Sequence, residues 1–323
     1  MKPKVGIALS GGAVRGISHI GILKVLEREN IPINFIAGTS IGALIGALYA
    51  CGIKINEIEQ MAKTAKWKEL VDFTIPKDGL IAGKKIENYI KNILPNKNFE
   101  ELSIPLSIIA TDLNSGEKVI FDRGNVINAI RASISVPGVF EPLIDNNSIF
   151  VDGSLVDPIP VDIVKSMGSE IVIAVDLTID MNQIYLSGIK KEESEFTRFF
   201  EREFISTEIS YLKDFLKENK IKLPFLVRGL LSTRTIMNIL TSKEVKIVKY
   251  TIRSLDILSN QFAKEKLKYP YIDVIIKPEF HGIEWTEFDK TEECIKSGEI
   301  AAEEVIPKIN RLLNKEVLIP KCD

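Results

Sequence analysis

Histidine is nearly absent. Two residues, His19 and His281, serve a chain of 323, so chemistry that needs a cluster of imidazoles starts almost excluded. Cysteine is as scarce: Cys51, Cys294 and Cys322 lie far apart with no C-x-x-C pair, which argues against a disulfide framework and against a thiolate zinc site. A charge excess of either sign is missing too. Forty-two Lys and Arg face 44 Asp and Glu, a formal net charge of −2, without the basic surplus of a nucleic-acid binder, and no nucleic-acid partner is expected. Long apolar runs are also lacking. The longest, Ile41 to Ile53, has 13 residues, well short of the roughly 20 a bilayer span needs, and reads as a buried helix. The run after the first lysines is too short for a signal-peptide core, so a cytoplasmic location is the default expectation. What is present is ordinary for a globular chain, with 45% apolar and 27% charged residues, enough for a sizeable core.

Short β-branched runs alternate with helical spacing through the first half. Val5–Ser10, Phe35–Gly38, Leu106–Leu113, Ile149–Asp152 and Ile171–Leu177 read as strands, and Gly16–Asn30 and Ile41–Ala50 as helices. Continuous apolar strands suit a sheet covered on both faces. The predicted class is α/β: three layers, α/β/α, with a mostly parallel central sheet. Past Leu177 the pattern turns helical, with apolar residues every three or four positions from Phe196 to Leu216 and a break at Pro224. Further helical stretches run over Phe225–Leu240 and Lys243–Lys264, before Tyr271–Lys277 returns to strand character and Thr291–Leu313 closes with a helix. One domain over 1–323 is expected: a catalytic core over 1–180, a helical insertion over 193–268, and a returning strand and helix over 270–323.

The sharpest motif is Gly38-Thr39-Ser40-Ile41-Gly42, a G-x-S-x-G between a strand and a helix. That context lifts a serine hydroxyl out of a sheet on a tight turn, with glycines where side chains would clash. A chance match in a glycine-bearing turn is the bland alternative. Ser10-Gly11-Gly12-Ala13-Val14-Arg15-Gly16 is a second strand-to-helix loop whose backbone N–H groups suit a phosphate or a tetrahedral oxyanion. It completes neither G-x-G-x-x-G nor a P-loop, which weakens a nucleotide reading. A serine nucleophile needs a base. His19 and His281 are candidates, and so is Asp152 in Val151-Asp152-Gly153-Ser154, whose basicity would rise if the site were partly dry. An aspartate closing a strand at a turn is the structural alternative.

Taken together, these elements resemble the patatin-like phospholipase family, whose members use a Ser–Asp dyad without histidine. The resemblance covers most of the first 180 residues in five ordered blocks: Ser10 to Glu27, Gly38 to Leu44, Ala110 to Gly124, Ala129 to Pro142, and Val151 to Asp162. It implies Ser40 as nucleophile, Asp152 as base and the amides of Gly11, Gly12 and Ala13 as oxyanion hole. Arg15 and Gly16 would support that loop, Gly38 and Gly42 would shape the nucleophile elbow, and Gly153 and Ser154 would complete the base motif. Two positions depart from the family pattern. Ala13 replaces a third glycine, and Ser154 stands where a small apolar residue or glycine is usual and could hydrogen-bond Asp152, lowering its basicity. Asp112 is expected to anchor a loop, Ser133 and Ser135 to be polar groups beside the site, and Arg131 and Asp157 to take part in ion pairs.

The implied activity is a serine lipid acyl hydrolase of phospholipase, lysophospholipase or esterase type, acting on phospholipid or other fatty-acyl esters. No metal and no cofactor are expected. Pro224–Leu240 combines an apolar face with Arg228 and Arg234, either as an interfacial helix or lid giving peripheral contact with the inner membrane face, or as a face packed on the core. A non-catalytic lipid-binding protein and a short-chain carboxylesterase are the alternatives.

Overall fold

The computed structural model describes residues 3–72, 79, 81–178, 250–251, 253–280, 282–283 and 287–314. Eight strands form one mixed sheet: β1 Val5–Leu9, β2 Phe35–Thr39, β3 Leu106–Asp112, β4 Lys118–Phe121, β5 Leu143–Asp145, β6 Ser148–Asp152, β7 Ile171–Val175 and β8 Val274–Ile276. The helices are α1 Ser18–Arg28, α2 Ile41–Ala50, α3 Ile55–Thr64, α4 Trp67–Leu70, α5 Lys84–Ile93, α6 Val126–Ser133, α7 Val161–Ser166, α8 over residues 253–266, and α9 Thr291–Leu313. Strands β3, β2, β1, β7 and β8 pair in parallel in that order, which gives the expected mostly parallel core. β4, β5 and β6 join antiparallel.

Alternation along the strands sorts the two faces. Val5, Ile7 and Leu9 of β1 point into a core shared with α1, α2, α6 and α9. Ala8, Ala37 and Ala174 point the other way, where α7 and Ala263 of α8 pack close to the sheet. Bulky residues thus fill one face and alanines let helices approach the other, so the helix-sheet-helix layering follows from the sequence of β1, β2 and β7. The expected insertion over 193–268 lies largely outside the described residues, including the whole of 224–240. Among the described residues no helix is long and apolar enough to cross a membrane.

The registers around β3 position the site. β2 pairs with β3 as far as Thr39 opposite Ile109. β6, running the other way, ends where β2 stops, with Asp152 opposite Ala110. β4 pairs with the same β3 residues, Ile108 to Thr111, and therefore takes the other edge. β2 and β6 meet end to end along one edge of β3. The residue after Thr39 and the last residue of β6 are thereby brought to one place.

Candidate active site

Those two residues are Ser40 and Asp152. Ser40 Oγ donates a hydrogen bond to Asp152 Oδ2 at 2.5 Å across 112 positions of sequence. Ser40 adopts φ 55° and ψ −124°, a conformation L-residues rarely take. Two contacts hold it there: its N–H donates to Ser133 Oγ at 2.8 Å, and the Ser133 hydroxyl donates to the Ile109 carbonyl at 2.6 Å. The glycines flanking the turn leave no room for side chains. A Cβ on Gly42 would strike the Leu9 carbonyl oxygen, and one on Gly38 would lie 2.6 Å from the Gly42 carbonyl oxygen. Thr39 Oγ1 donates to the Asp157 carbonyl at 2.8 Å, locking the elbow to the loop beyond Asp152.

Asp152 is 4% exposed. Its Oδ1 accepts from the Ser154 N–H at 2.8 Å, and its own backbone N–H donates to the Ser135 carbonyl at 2.9 Å. Burial pushes the Asp152 pKa up, while hydrogen bonds from Ser40 and from the Ser154 backbone and hydroxyl pull it back. The result is a carboxylate held near dryness with more proton affinity than an exposed one. Gly153 packs against the Ile109 carbonyl, and the Ser154 hydroxyl occupies the space where Gly11 would carry a Cβ.

The glycine loop lies on the other side of Ser40. Gly11, Gly12 and Ala13 line one cleft with Ser40 and Asp152, about 110 Å³ in volume. Their amides are not equivalent, contrary to the sequence expectation of three donors. Gly11 N–H is committed to the Pro158 carbonyl at 3.1 Å, which leaves Gly12 and Ala13, whose N–H groups have no partner among the described residues. Ala13 sits at φ 49°, the left-handed region where a glycine would be unstrained, and this is the cost of the alanine. Arg15 is buried, with Nε donating to the Gly12 carbonyl at 3.3 Å, and Gly16 packs directly on Ile41.

Other candidates fall elsewhere. His19 is fully buried, and its Nε2–H donates to the Ser10 carbonyl at 2.8 Å while burial lowers its pKa to about 4. It is a neutral structural ring that does not contact Ser40. His281 lies outside the described residues. Asp112 accepts from the Asn114 N–H at 2.9 Å and anchors the turn there. Ser135 Oγ donates to the Arg131 carbonyl at 2.7 Å. Among the described residues Arg131 makes no ion-pair contact; its guanidinium donates to the Ser135 hydroxyl and to the carbonyls of Ala82 and Glu141. Asp157 does pair, with Lys118 at 2.9 Å and Lys266 at 3.1 Å. Among the described residues no group of three or more His, Cys, Asp or Glu is placed to hold a metal ion. The far wall of the cleft is formed by α8, through Leu255, Asp256, Ser259, Asn260 and Ala263. In the sequence this segment is only part of a helical stretch over Lys243–Lys264, and no local motif marks Asp256.

Residues 7–165 match the sequence profile of the patatin-like phospholipases. Over these residues the chain belongs to the patatin-like phospholipase family. An uncharacterized NTE family protein of Mycobacterium tuberculosis is 35% identical over 178 residues, covering 54% of this chain and 49% of that protein. The lysophospholipase NTE1 of Yarrowia lipolytica is 36% identical over 179 residues, 54% of this chain and 12% of that protein. The human patatin-like phospholipase domain-containing protein 6 is 33% identical over 181 residues, 54% of this chain and 13% of its own length. The match thus spans about half the length of the mycobacterial relative and a much smaller part of the eukaryotic ones. Among solved structures, VipD from Legionella pneumophila shares the fold with a TM-score of 0.56 at 14% identity, over 96% of this chain and 67% of that one. The patatin-like segment ends just past α7's first turn, so β7, β8, α8 and α9 lie beyond it.

Proposed function

We propose that this protein is a serine acyl hydrolase acting on lipid esters, of phospholipase A or lysophospholipase type, working through Ser40 and Asp152. The contact between Ser40 Oγ and Asp152 Oδ2 carries the reading. Ser40 Oγ attacks the ester carbonyl carbon as its proton passes to Asp152 Oδ2. The carbonyl π-bond opens onto oxygen, and the oxyanion meets the N–H groups of Gly12 and Ala13, each such donor worth about 2.7–4 kcal/mol in the transition state. Collapse breaks the bond to the alcohol, which leaves with the proton held by Asp152. A water then gives its proton to Asp152 and attacks the acyl-serine, and the second collapse releases the fatty acid and returns the proton to Ser40.

The raised proton affinity of Asp152 serves this cycle, because a base nearer the working pH transfers protons more effectively. Family membership and the names of the lysophospholipase and phospholipase relatives support a fatty-acyl ester substrate. A substrate presented at a lipid surface also fits the outer face of α8, where Leu258 and Phe262 are exposed. p-Nitrophenyl esters of graded chain length test the reading. Wild type hydrolyses medium and long chains and Ser40→Ala does not; undiminished turnover by Ser40→Ala removes the nucleophile.

A further inference from the structure

The cleft holds a second carboxylate, Asp256 on α8, beyond the residues that match the family profile. Its Oδ1 lies 3.7 Å from Arg15 Nη2, the one ion-pair contact that Arg15 makes among the described residues. The Arg15 side chain is 5% exposed and its Nη1 has no hydrogen-bond partner among the described residues. A guanidinium so dry depends on a counter-charge to stay in place. Arg253, one turn earlier on α8, is the other cation facing Asp256.

Arg15 in turn grips one peptide unit. Its backbone N–H donates to the Gly12 carbonyl at 3.2 Å and its Nε donates to the same oxygen at 3.3 Å. The Gly12 carbonyl and the Ala13 N–H belong to a single planar trans unit, so they point in opposite directions. Clamping the carbonyl towards Arg15 therefore aims the Ala13 N–H away from it. Ala13 at φ 49° gives this peptide a standing reason to flip, because rotation would take an alanine out of the left-handed region.

We infer that Asp256 is a positioning residue: it holds Arg15 so that the Gly12–Ala13 peptide keeps its N–H available to the developing oxyanion. This rests on the acyl-hydrolase reading above and extends it to a residue on α8. The relay acts on the transition state more than on bound ester, because the carbonyl oxygen needs the donor most when it becomes an anion.

The test compares wild type, Asp256→Asn, Asp256→Glu and Ser40→Ala. With p-nitrophenyl butyrate, Asp256→Asn should lose about tenfold or more in kcat with KM within about twofold, and Asp256→Glu should recover most of the loss. Hydrogen exchange of the Ser10–Ile17 peptide should quicken about tenfold in Asp256→Asn, with the α9 peptide unchanged. Ser40-dependent hydrolysis at the wild-type kcat in Asp256→Asn overturns the inference and leaves the hydrolase reading standing. Hydrolysis that survives Ser40→Ala overturns the hydrolase reading and the relay with it. If no ester is turned over, exchange decides: an unaltered Ser10–Ile17 peptide refutes the clamp.

Discussion

Replacing Asp152 with asparagine preserves the shape of the side chain and removes its capacity to take a proton. The two carboxylate oxygens have separate tasks, Oδ2 accepting from Ser40 at 2.5 Å and Oδ1 from the Ser154 N–H at 2.8 Å. An amide offers one acceptor. The Ser154 donor is fixed in the backbone, so the amide oxygen stays with it and the NH2 turns to Ser40. The serine hydroxyl then becomes an acceptor, and its proton has no base. General-base assistance is worth about 10²–10⁴-fold, or about 2.7–5.5 kcal/mol of barrier at roughly 1.36 kcal/mol per decade. Stability should not follow. Burial raises the Asp152 pKa, so the native state favours the protonated form and loses stability as pH rises from the ordinary 3.8 through the raised value. Above that window the ionised group opposes folding, and a neutral amide escapes the penalty. We expect kcat on p-nitrophenyl butyrate at pH 7 to fall by about 100-fold or more, with the melting temperature at or above a line about 2 °C below wild type. A kcat within about threefold of wild type would refute Asp152 as the base. Loss of activity together with a collapse in melting temperature would assign the effect to packing.

Ser154→Ala deletes a hydroxyl that opposes the upward push of burial on Asp152, so the acid limb of the kcat/KM profile should move to higher pH. A limb that stays put or moves down contradicts that role. Gly42→Ala drives a methyl into the Leu9 carbonyl oxygen and should cost about 1–3 kcal/mol or more in chemical denaturation, with ester hydrolysis lost in the folded fraction. His19 binds a proton only near pH 4 in the fold but near 6.5 when unfolded, so wild type should lose about 3 kcal/mol relative to His19→Gln as pH falls through that window. Parallel stability profiles for the two proteins would show that His19 does not titrate as its burial requires.

The β-branched runs announced the strands because buried parallel strands need no polar alternation: Val5 to Ser10 contains β1, and Leu106 to Leu113 contains β3. The closing helix Thr291–Leu313 matches the observed α9 residue for residue, its apolar spacing being set by one face against α1. β4 and β5 escaped notice, since four- and three-residue edge strands with exposed positions such as Ile120 and Ile144 carry little pattern. The elbow at Ser40 was legible because Gly38 and Gly42 stand two residues either side of the serine, a local spacing visible without knowing that Gly42 packs on Leu9. Gly11's commitment to Pro158 was not, because that partner lies 147 positions away and comes into reach only when β6 meets the end of β2. Asp256 was equally hidden: its meaning comes from Arg15, on the far side of the cleft, and not from its neighbours on α8.

A fluorophosphonate carries the electrophile, the leaving group and the charge pattern that the cleft is built to meet, and peptide mass mapping locates where it bonds. The account predicts one adduct, on the peptide containing Ser40, forming far more slowly in Asp152→Asn and absent in Ser40→Ala. An adduct on another residue, or an active protein whose Ser40 peptide stays unmodified, would contradict it.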